Sequence, residues 1–280
     1  MKLIVIGGSG FVGRNILNQM DAEEKAYFSR HNSKSLDDNG IKYIEGDVRN
    51  YDDVEKAIEG YDVIIHAVDV LKEDEEKHEE LSLNGIKNIV KAIKKYGKSQ
   101  KLIYFSAINA DKGKTDYFRY KRLAEDNVDL LKNGLSIRPS TMYGDGDKFT
   151  KMLVDLAKQK VPLLPKSGNM APVYINDVIT VLKNSMDAHG IIDICTRENI
   201  TFAGMFNTIR EKLGLKPVKE VSSLVFRPFI SSLQKRGLLT KEQFYMLQLD
   251  YYKENTSLYR YVKEPMNYRD YINSIDLTKI

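Results

Sequence analysis

Tyr117 and Lys121 stand four residues apart in a stretch with helical spacing, so both side chains fall on one face of one helix. An ammonium beside a phenol favours the phenolate, which makes a tyrosine usable as an acid or base near neutrality. An exposed, inert pair is the alternative, because Tyr-x-x-x-Lys also arises by chance. A second group is Gly7, Gly10 and Gly13, spaced G-x-x-G-x-x-G between an apolar run and an amphipathic stretch. A pyrophosphate can rest on a helix N-terminus only where the backbone approaches closely, and side chains at such positions block it. This placement predicts a dinucleotide site over Gly7, Gly8, Ser9, Gly10, Phe11, Val12 and Gly13. A tight turn holding no ligand is the competing reading.

An acid about 20 residues beyond the first glycine usually holds a ribose 2′-hydroxyl. Here that stretch reads Phe28-Ser29-Arg30-His31-Asn32-Ser33-Lys34, with no acid. Arg30, with Ser29 and Lys34, can clamp a 2′-phosphate instead, which predicts NADP(H) in preference to NAD(H). An exposed basic loop is the alternative. Asp47 can accept a hydrogen bond from an adenine amine with Val48 against the ring, or it can serve as a helix cap or turn residue.

These residues need a frame, and the apolar pattern supplies one. Leu3–Ile6, Ala26–Ser29, Ile41–Glu45, Asp62–Ala67, Leu102–Ser106 and Leu135–Ile137 read as six strands, with helical stretches between them. One helix is expected to begin in the acidic run Glu73, Asp74, Glu75, Glu76, Glu79 and Glu80 and to stop at Gly97. Lys87, Lys91, Lys94 and Lys95 follow that run, the order a helix dipole favours. Another helix is expected over Tyr117–Leu131. The alternation predicts an α/β fold, a Rossmann-type doubly wound parallel sheet, with a smaller, mostly helical C-terminal domain. The expected boundaries are 1–140 for the dinucleotide-binding domain, completed by about 175–196, and 141–174 with 197–280 for the smaller one. Asp147–Lys160 reads as a helix, Val161–Pro172 as a loop and Ile191–Cys195 as a further strand.

Composition excludes several classes. The chain has 280 residues, 42% of them hydrophobic and 29% charged, as an ordered globular protein requires. A single cysteine, Cys195, excludes an internal disulfide, and His31, His78 and His189 show no metal-ligand spacing. The net charge of +4 arises in residues 211–280, which hold 12 basic and 8 acidic side chains and seven of the 17 tyrosines. That excess is too small for a nucleic-acid partner. The N-terminus lacks the features of a signal peptide, and no apolar run suits a transmembrane helix, so a cytoplasmic protein is expected.

On Gly7/Gly10/Gly13, Gly46-Asp47-Val48, His66-Ala67, Asn84-Gly85, Tyr117/Lys121 and Arg138-Pro139-Ser140, the chain resembles the short-chain dehydrogenase/reductase superfamily. The branch it resembles is the extended or atypical, epimerase/dehydratase-like one. Ser106–Asp111, Tyr117–Lys121, Arg138–Gly144 with Asp147 and Phe149, and Pro172–Val178 are further similar to the NADPH-binding accessory subunits of respiratory complex I and their prokaryotic relatives. The resemblance implies a nucleotide site that adds Ala67, Val68 and Lys121 to the residues above. It implies Tyr117 as proton donor or acceptor and Lys121 as partner of phenol and ribose. The family's helper Ser or Thr falls at Ile108, which leaves Ser106 or Asn109 as substitutes. Two functions follow. One is an oxidoreductase or sugar-nucleotide epimerase/dehydratase relative acting on an unidentified small molecule. The other is a non-catalytic NADPH-binding scaffold or redox sensor, with Tyr117/Lys121 kept as a ribose clamp.

Substrate contacts are expected from Tyr143–Asp147, Val161–Met170 and the C-terminal helices. Asp177 is expected to anchor the return into the dinucleotide domain, and His66 to be packed or cofactor-lining rather than a base. Residues 222–239, SSLVFRPFISSLQKRGLL, have core packing as the default role, and Pro228 is expected to interrupt the helix there. A lid, a protein-docking surface and an interfacial membrane helix compete with that default. A homodimer through the acidic-then-basic helix and the Tyr117 helix is a further expectation from the resemblance.

Overall fold

Apolar runs such as Leu3–Ile6 form strands with side chains on both faces and need cover on both, which only helices above and below a parallel sheet provide. The computed structural model describes residues 1–69, 77–95, 99–161, 163–235 and 239–280. Its first sheet is built from β1 (Lys2–Ile6), β2 (Glu24–Ser29), β3 (Lys42–Glu45), β4 (Val63–His66), β5 (Lys101–Phe105), β6 (Gly134–Pro139) and β7 (Gly190–Ile194). The strand order is β7-β6-β5-β4-β1-β2-β3. The pairs β1–β2, β1–β4, β2–β3, β4–β5 and β5–β6 are all parallel, with Ile4 of β1 opposite both Ala26 and Ile64. The fold is therefore the Rossmann-type α/β arrangement. The chain reverses direction of winding between β1 and β4, the switch point where such sheets open a crevice.

Among the described residues, the helices between these strands are α1 (Phe11–Gln19), α2 (Lys34–Asp37), α3 (Tyr51–Ile58), α4 (Gly85–Lys95) and α5 (Asp116–Val128). Ile86, Ile89, Val90 and Ile93 of α4 and Val54, Ala57 and Ile58 of α3 pack into one apolar cluster with Ile4, Ile64 and Leu102 of the strands. The acidic start expected for α4 is not where that helix begins. Glu73, Asp74, Glu75, Glu76 and the stop at Gly97 lie outside the described residues, while Glu79 and Glu80 belong to a π-helical turn, Glu79–Asn84. The first turn of α4 holds no acid, although Lys94 and Lys95 do close it. Packing is close around this turn. A Cβ on Gly85 would lie 2.9 Å from Val48 and 3.1 Å from His66 Nε2, and the turn's Leu81 carbonyl meets that same His66 nitrogen at 3.1 Å.

The chain divides into two compact units, Met1–Pro139 with Ile179–Asp193, and Ser140–Val178 with Ile194–Ile280. The second contains α6 (Lys148–Ala157), α8 (Phe202–Lys212), α9 (Ser223–Lys235), α10 (Lys241–Leu247), α11 (Leu258–Tyr261) and α12 (Tyr268–Ser274); α7 (Ile175–Asn184) starts in it. The loop expected over Val161–Pro172 instead includes a short strand, Leu163–Pro165, parallel to Lys219–Val221. Tyr143 and Asp147, expected at a substrate, serve the interior. Tyr143 is fully buried against the rings of Tyr174, Tyr268 and Tyr271, and its hydroxyl donates to the Met266 carbonyl at 2.5 Å. Asp147 caps α6 through the Thr150 N–H at 2.5 Å and also accepts from Gly144 N–H at 2.9 Å. Two of the C-terminal tyrosines thus serve packing.

Pro228 does not interrupt α9, which runs through it. Proline has no N–H for the carbonyl four residues back and its ring crowds that carbonyl, here that of Leu224, a residue 74% exposed. Core packing accounts for one face of this helix: Phe226 and Ile230 are buried with Phe244, while Val225 and Phe229 are exposed together with Leu224. The remainder of the segment, from Arg236 to Leu238, lies outside the described residues. Among the described residues, no helix is long and apolar enough to cross a membrane.

Candidate functional site

The turn between β1 and α1 brings the glycines together for two different reasons. Gly7 has a φ of +82°, a conformation other residues rarely adopt, and a Cβ there would strike Val68 at 2.7 Å. A Cβ on Gly8 would fall 2.3 Å from Tyr27, and one on Gly13 would fall 2.5 Å from the Gly7 carbonyl. Those three positions are demanded by packing. Gly10 is different: it is the N-cap of α1 in ordinary extended geometry, and its Cβ would meet only the Gly7 carbonyl, at 3.2 Å. Its bare Cα leaves the first N–H groups of α1 open to a phosphate-sized anion, so this turn fits a dinucleotide.

A cleft follows from this turn along the ends of β1, β2 and β4. Gly7, Ser9, Gly10, Ser29, Arg30, Asp47, Val48, Ala67 and Val68 line it, together with Ile6, Phe28, His31, Gly46, Asp69 and Leu81. Gly8, Phe11, Val12, Gly13 and Lys121 are not among its lining residues; the glycines stand behind the turn, and Phe11 and Val12 open α1. Lys34 begins α2 and does not reach the cleft wall. Ser29 turns its hydroxyl toward the His31 carbonyl, 2.6 Å away. Arg30 is exposed at the end of β2, where no acidic side chain lies beside it in sequence. Asp47 lines the cleft and also makes a turn contact. Its Oδ1 accepts from the Arg49 N–H at 2.9 Å, and Arg49 Nη2 reaches Oδ2 at 2.5 Å, which holds the Asp47 carboxyl below its ordinary range.

Tyr117 and Lys121 project from the buried face of α5, at 7% and 1% exposure. Tyr117 Oη donates to Asp69 Oδ2 at 3.0 Å, and Lys121 Nζ meets the same oxygen at 3.1 Å. Lys121 also donates to the Phe105 carbonyl at 2.9 Å. Burial by itself would lower the Lys121 ammonium, but Asp69 and Tyr104 reverse this and leave it above the ordinary lysine value. His66, wholly buried beneath, is pushed down to about 3 by burial and by the charge of Lys121, so it is a neutral packed ring.

The expectation that Ser106 orients a substrate oxygen meets a different geometry. Its hydroxyl donates to Glu125 Oε1 at 2.6 Å, inside a buried group completed by Arg138. Ile108 is fully buried, and Asn109 holds a tight turn at φ +73°, its carbonyl accepting from Lys112 and Gly113. Asp177 accepts the Met266 N–H at 2.8 Å and so anchors the C-terminal segment rather than the first unit. Asp69, Glu125 and Arg49 were absent from the sequence-based expectations. Glu125 carried a signal: it continues the four-residue spacing of Tyr117 and Lys121 onto a buried face, where an acid requires a partner.

The profile of the 3-beta hydroxysteroid dehydrogenase/isomerase family matches residues 4–115. A 3-beta-hydroxysteroid dehydrogenase of Mycolicibacterium neoaurum is 27% identical over 205 residues, which are 60% of this chain and 56% of that protein. The mitochondrial NADH dehydrogenase [ubiquinone] 1 alpha subcomplex subunit 9 of Rattus norvegicus is 27% identical over 199 residues, 65% of this chain and 52% of that one. The chain thus spans about half the length of these curated relatives. The Citrobacter sp. triphenylmethane reductase complexed with NADP(H) superposes with a TM-score of 0.76 at 15% identity, covering 98% of this chain and 99% of that one. With the parallel sheet, the glycine turn at its switch point and these likenesses together, the chain has the fold of the short-chain dehydrogenase/reductase superfamily and is similar in sequence to its extended, epimerase/dehydratase-like branch.

Proposed function

We propose that this chain is an NADP(H)-binding oxidoreductase or epimerase/dehydratase relative, in which Tyr117 exchanges a proton with the substrate and Lys121 assists it. The observation that carries the reading is the convergence of Tyr117 Oη and Lys121 Nζ on one oxygen of Asp69, a residue that itself lines the nucleotide cleft. The acid/base pair and the cleft are therefore contiguous. The open N-terminus of α1 receives the pyrophosphate, Arg30 faces the 2′-phosphate, and Val48 lies where an adenine ring would pack. When bound, the nicotinamide supplies or takes the hydride. Tyr117 holds the proton at Oη, and the Lys121 charge favours its departure.

A second reading, a scaffold that holds NADPH without turning it over, draws support from Ser106. Its hydroxyl is committed to Glu125, and Ile108 occupies the usual helper position. The similarity to the rat complex I subunit accords with it. The deciding experiment mixes the protein with NADPH and a panel of hydroxysteroids, sugar nucleotides and aromatic carbonyls, and follows the absorbance of the reduced nicotinamide. Turnover that Tyr117→Phe abolishes while NADPH binding persists is the expected result. Tight NADPH binding with no turnover on any class overturns the enzyme and leaves the scaffold.

We assign substrate or partner recognition to the second unit. The exposed Leu224, Val225 and Phe229 of α9 supply an apolar face for a protein or membrane-surface contact. Sedimentation with anionic liposomes at low and moderate salt tests the membrane contact, which fails if nothing binds at low salt.

A further inference from the structure

We propose that Asp69 is a positioning residue that holds Tyr117 in its proton-bearing form and steers Lys121, an assignment that deepens the proposed acid/base site. The geometry is specific. One carboxylate oxygen, Oδ2, accepts from the phenol at 3.0 Å and from the ammonium at 3.1 Å. Tyr117 and Lys121 belong to α5, whereas Asp69 follows β4, so the carboxylate fixes the pair from across the cleft wall. Lys121 is 1% exposed on its side chain and Asp69 32%, so the carboxylate is the solvent-facing member of the trio.

The two charges act on the phenol in opposite senses. Lys121 favours loss of the proton, while a carboxylate accepting the O–H favours its retention. Other described groups pack around the pair. His78, ahead of the π-helical turn, packs its ring edge-on against Tyr117 with centroids 5.1 Å apart. From the strands, Tyr104 sets its ring 5.1 Å from Lys121 Nζ, and His66 below is neutral. Phe118, adjacent on α5, adds only an apolar edge. Among the described residues, Lys121 and Asp69 thus act on the Tyr117 hydroxyl in opposite senses, and the pair works here as a trio.

The test needs no substrate. The protein is prepared with tyrosine isotope-labelled at Cζ, the Tyr117 resonance being the one missing from Tyr117→Phe, and its ionisation is followed by NMR as pH rises. In Asp69→Asn the midpoint falls by about one pH unit or more, because Lys121 then acts unopposed. Asp69→Ser moves it the same way, and Lys121→Met moves it upward. A midpoint unchanged or raised in both Asp69 variants overturns the assignment. NADPH binding by calorimetry on the same samples separates the two ideas. Normal binding without a Tyr117 shift overturns the role of Asp69 alone. A Tyr117 shift in the Asp69 variants, with no NADPH binding by the unaltered protein, overturns the proposed cofactor function and leaves the role of Asp69 standing.

Discussion

Arg138 closes a fork on Glu125, with Nε 2.7 Å from Oε1 and Nη2 2.6 Å from Oε2, at a point where both side chains are nearly inaccessible to water. The pair joins the end of β6 to the helix that carries Tyr117 and Lys121, and it absorbs the Ser106 hydroxyl as well. Two-point contact between planar groups sets both distance and orientation. The fork therefore sets where α5 sits against the sheet.

Breaking that fork should be costly. Glu125→Ala leaves the Arg138 guanidinium buried without its two-point partner, with Asp111 at 3.7 Å and the more remote charge of Asp193 in its place. The expected loss is about 3–5 kcal/mol of unfolding free energy, read from the midpoint and slope of urea denaturation.

The glycines of the turn should separate by role. Gly10→Ala is expected to keep the fold within about 1 kcal/mol while weakening NADPH binding by tenfold or more, since its Cβ meets one carbonyl only. Gly13→Ala forces two backbone segments apart and should destabilise by about 1–3 kcal/mol. Thermal unfolding and calorimetric titration of both variants check the contrast.

Cofactor choice should rest on Arg30. Arg30→Ala is expected to reduce NADPH affinity by about tenfold, or ~1.4 kcal/mol, and to leave NADH affinity within about twofold. Equal losses for both nucleotides would show that Arg30 does not read the 2′-phosphate.

His66 predicts a pH dependence of stability. Its pKa lies near 3 in the folded chain and near 6.5 when unfolded. Below 6.5 the unfolded chain takes up a proton that the buried ring refuses, so stability is complete above that pH and falls as pH drops toward 3. The slope from this one group approaches about 1.4 kcal/mol per pH unit. His66→Gln, which retains a donor for the Leu81 carbonyl, should flatten the unfolding free energy across that window.

The sheet was legible because β1 and β4 are continuous apolar runs, and buried parallel strands leave few other options for such sequences. The glycine turn was legible for the same reason, as its position after β1 carried the inference. Asp69 was not. It lies 48 residues from Tyr117, in a run with several other acids, and only the juxtaposition of β4 and α5 reveals which carboxylate meets the phenol. Pro228 misled because the sequence does not show that it falls on an exposed face of α9. Tyr143 was expected at a substrate, whereas three other rings enclose it, a packing partner set that the sequence does not show.

The seventh strand of the first sheet has a practical consequence. β7 arrives only after the chain has passed through Ser140–Val178 and returned along α7. A fragment ending at residue 139 therefore contains the glycine turn, Tyr117 and Lys121, yet lacks the neighbour of β6. All six residues of β6 are buried in the whole chain. The shortened protein would present them as a bare edge, open to strand pairing between copies. Trimming this chain to its nucleotide site should yield aggregates, and a soluble version must extend through Asp193.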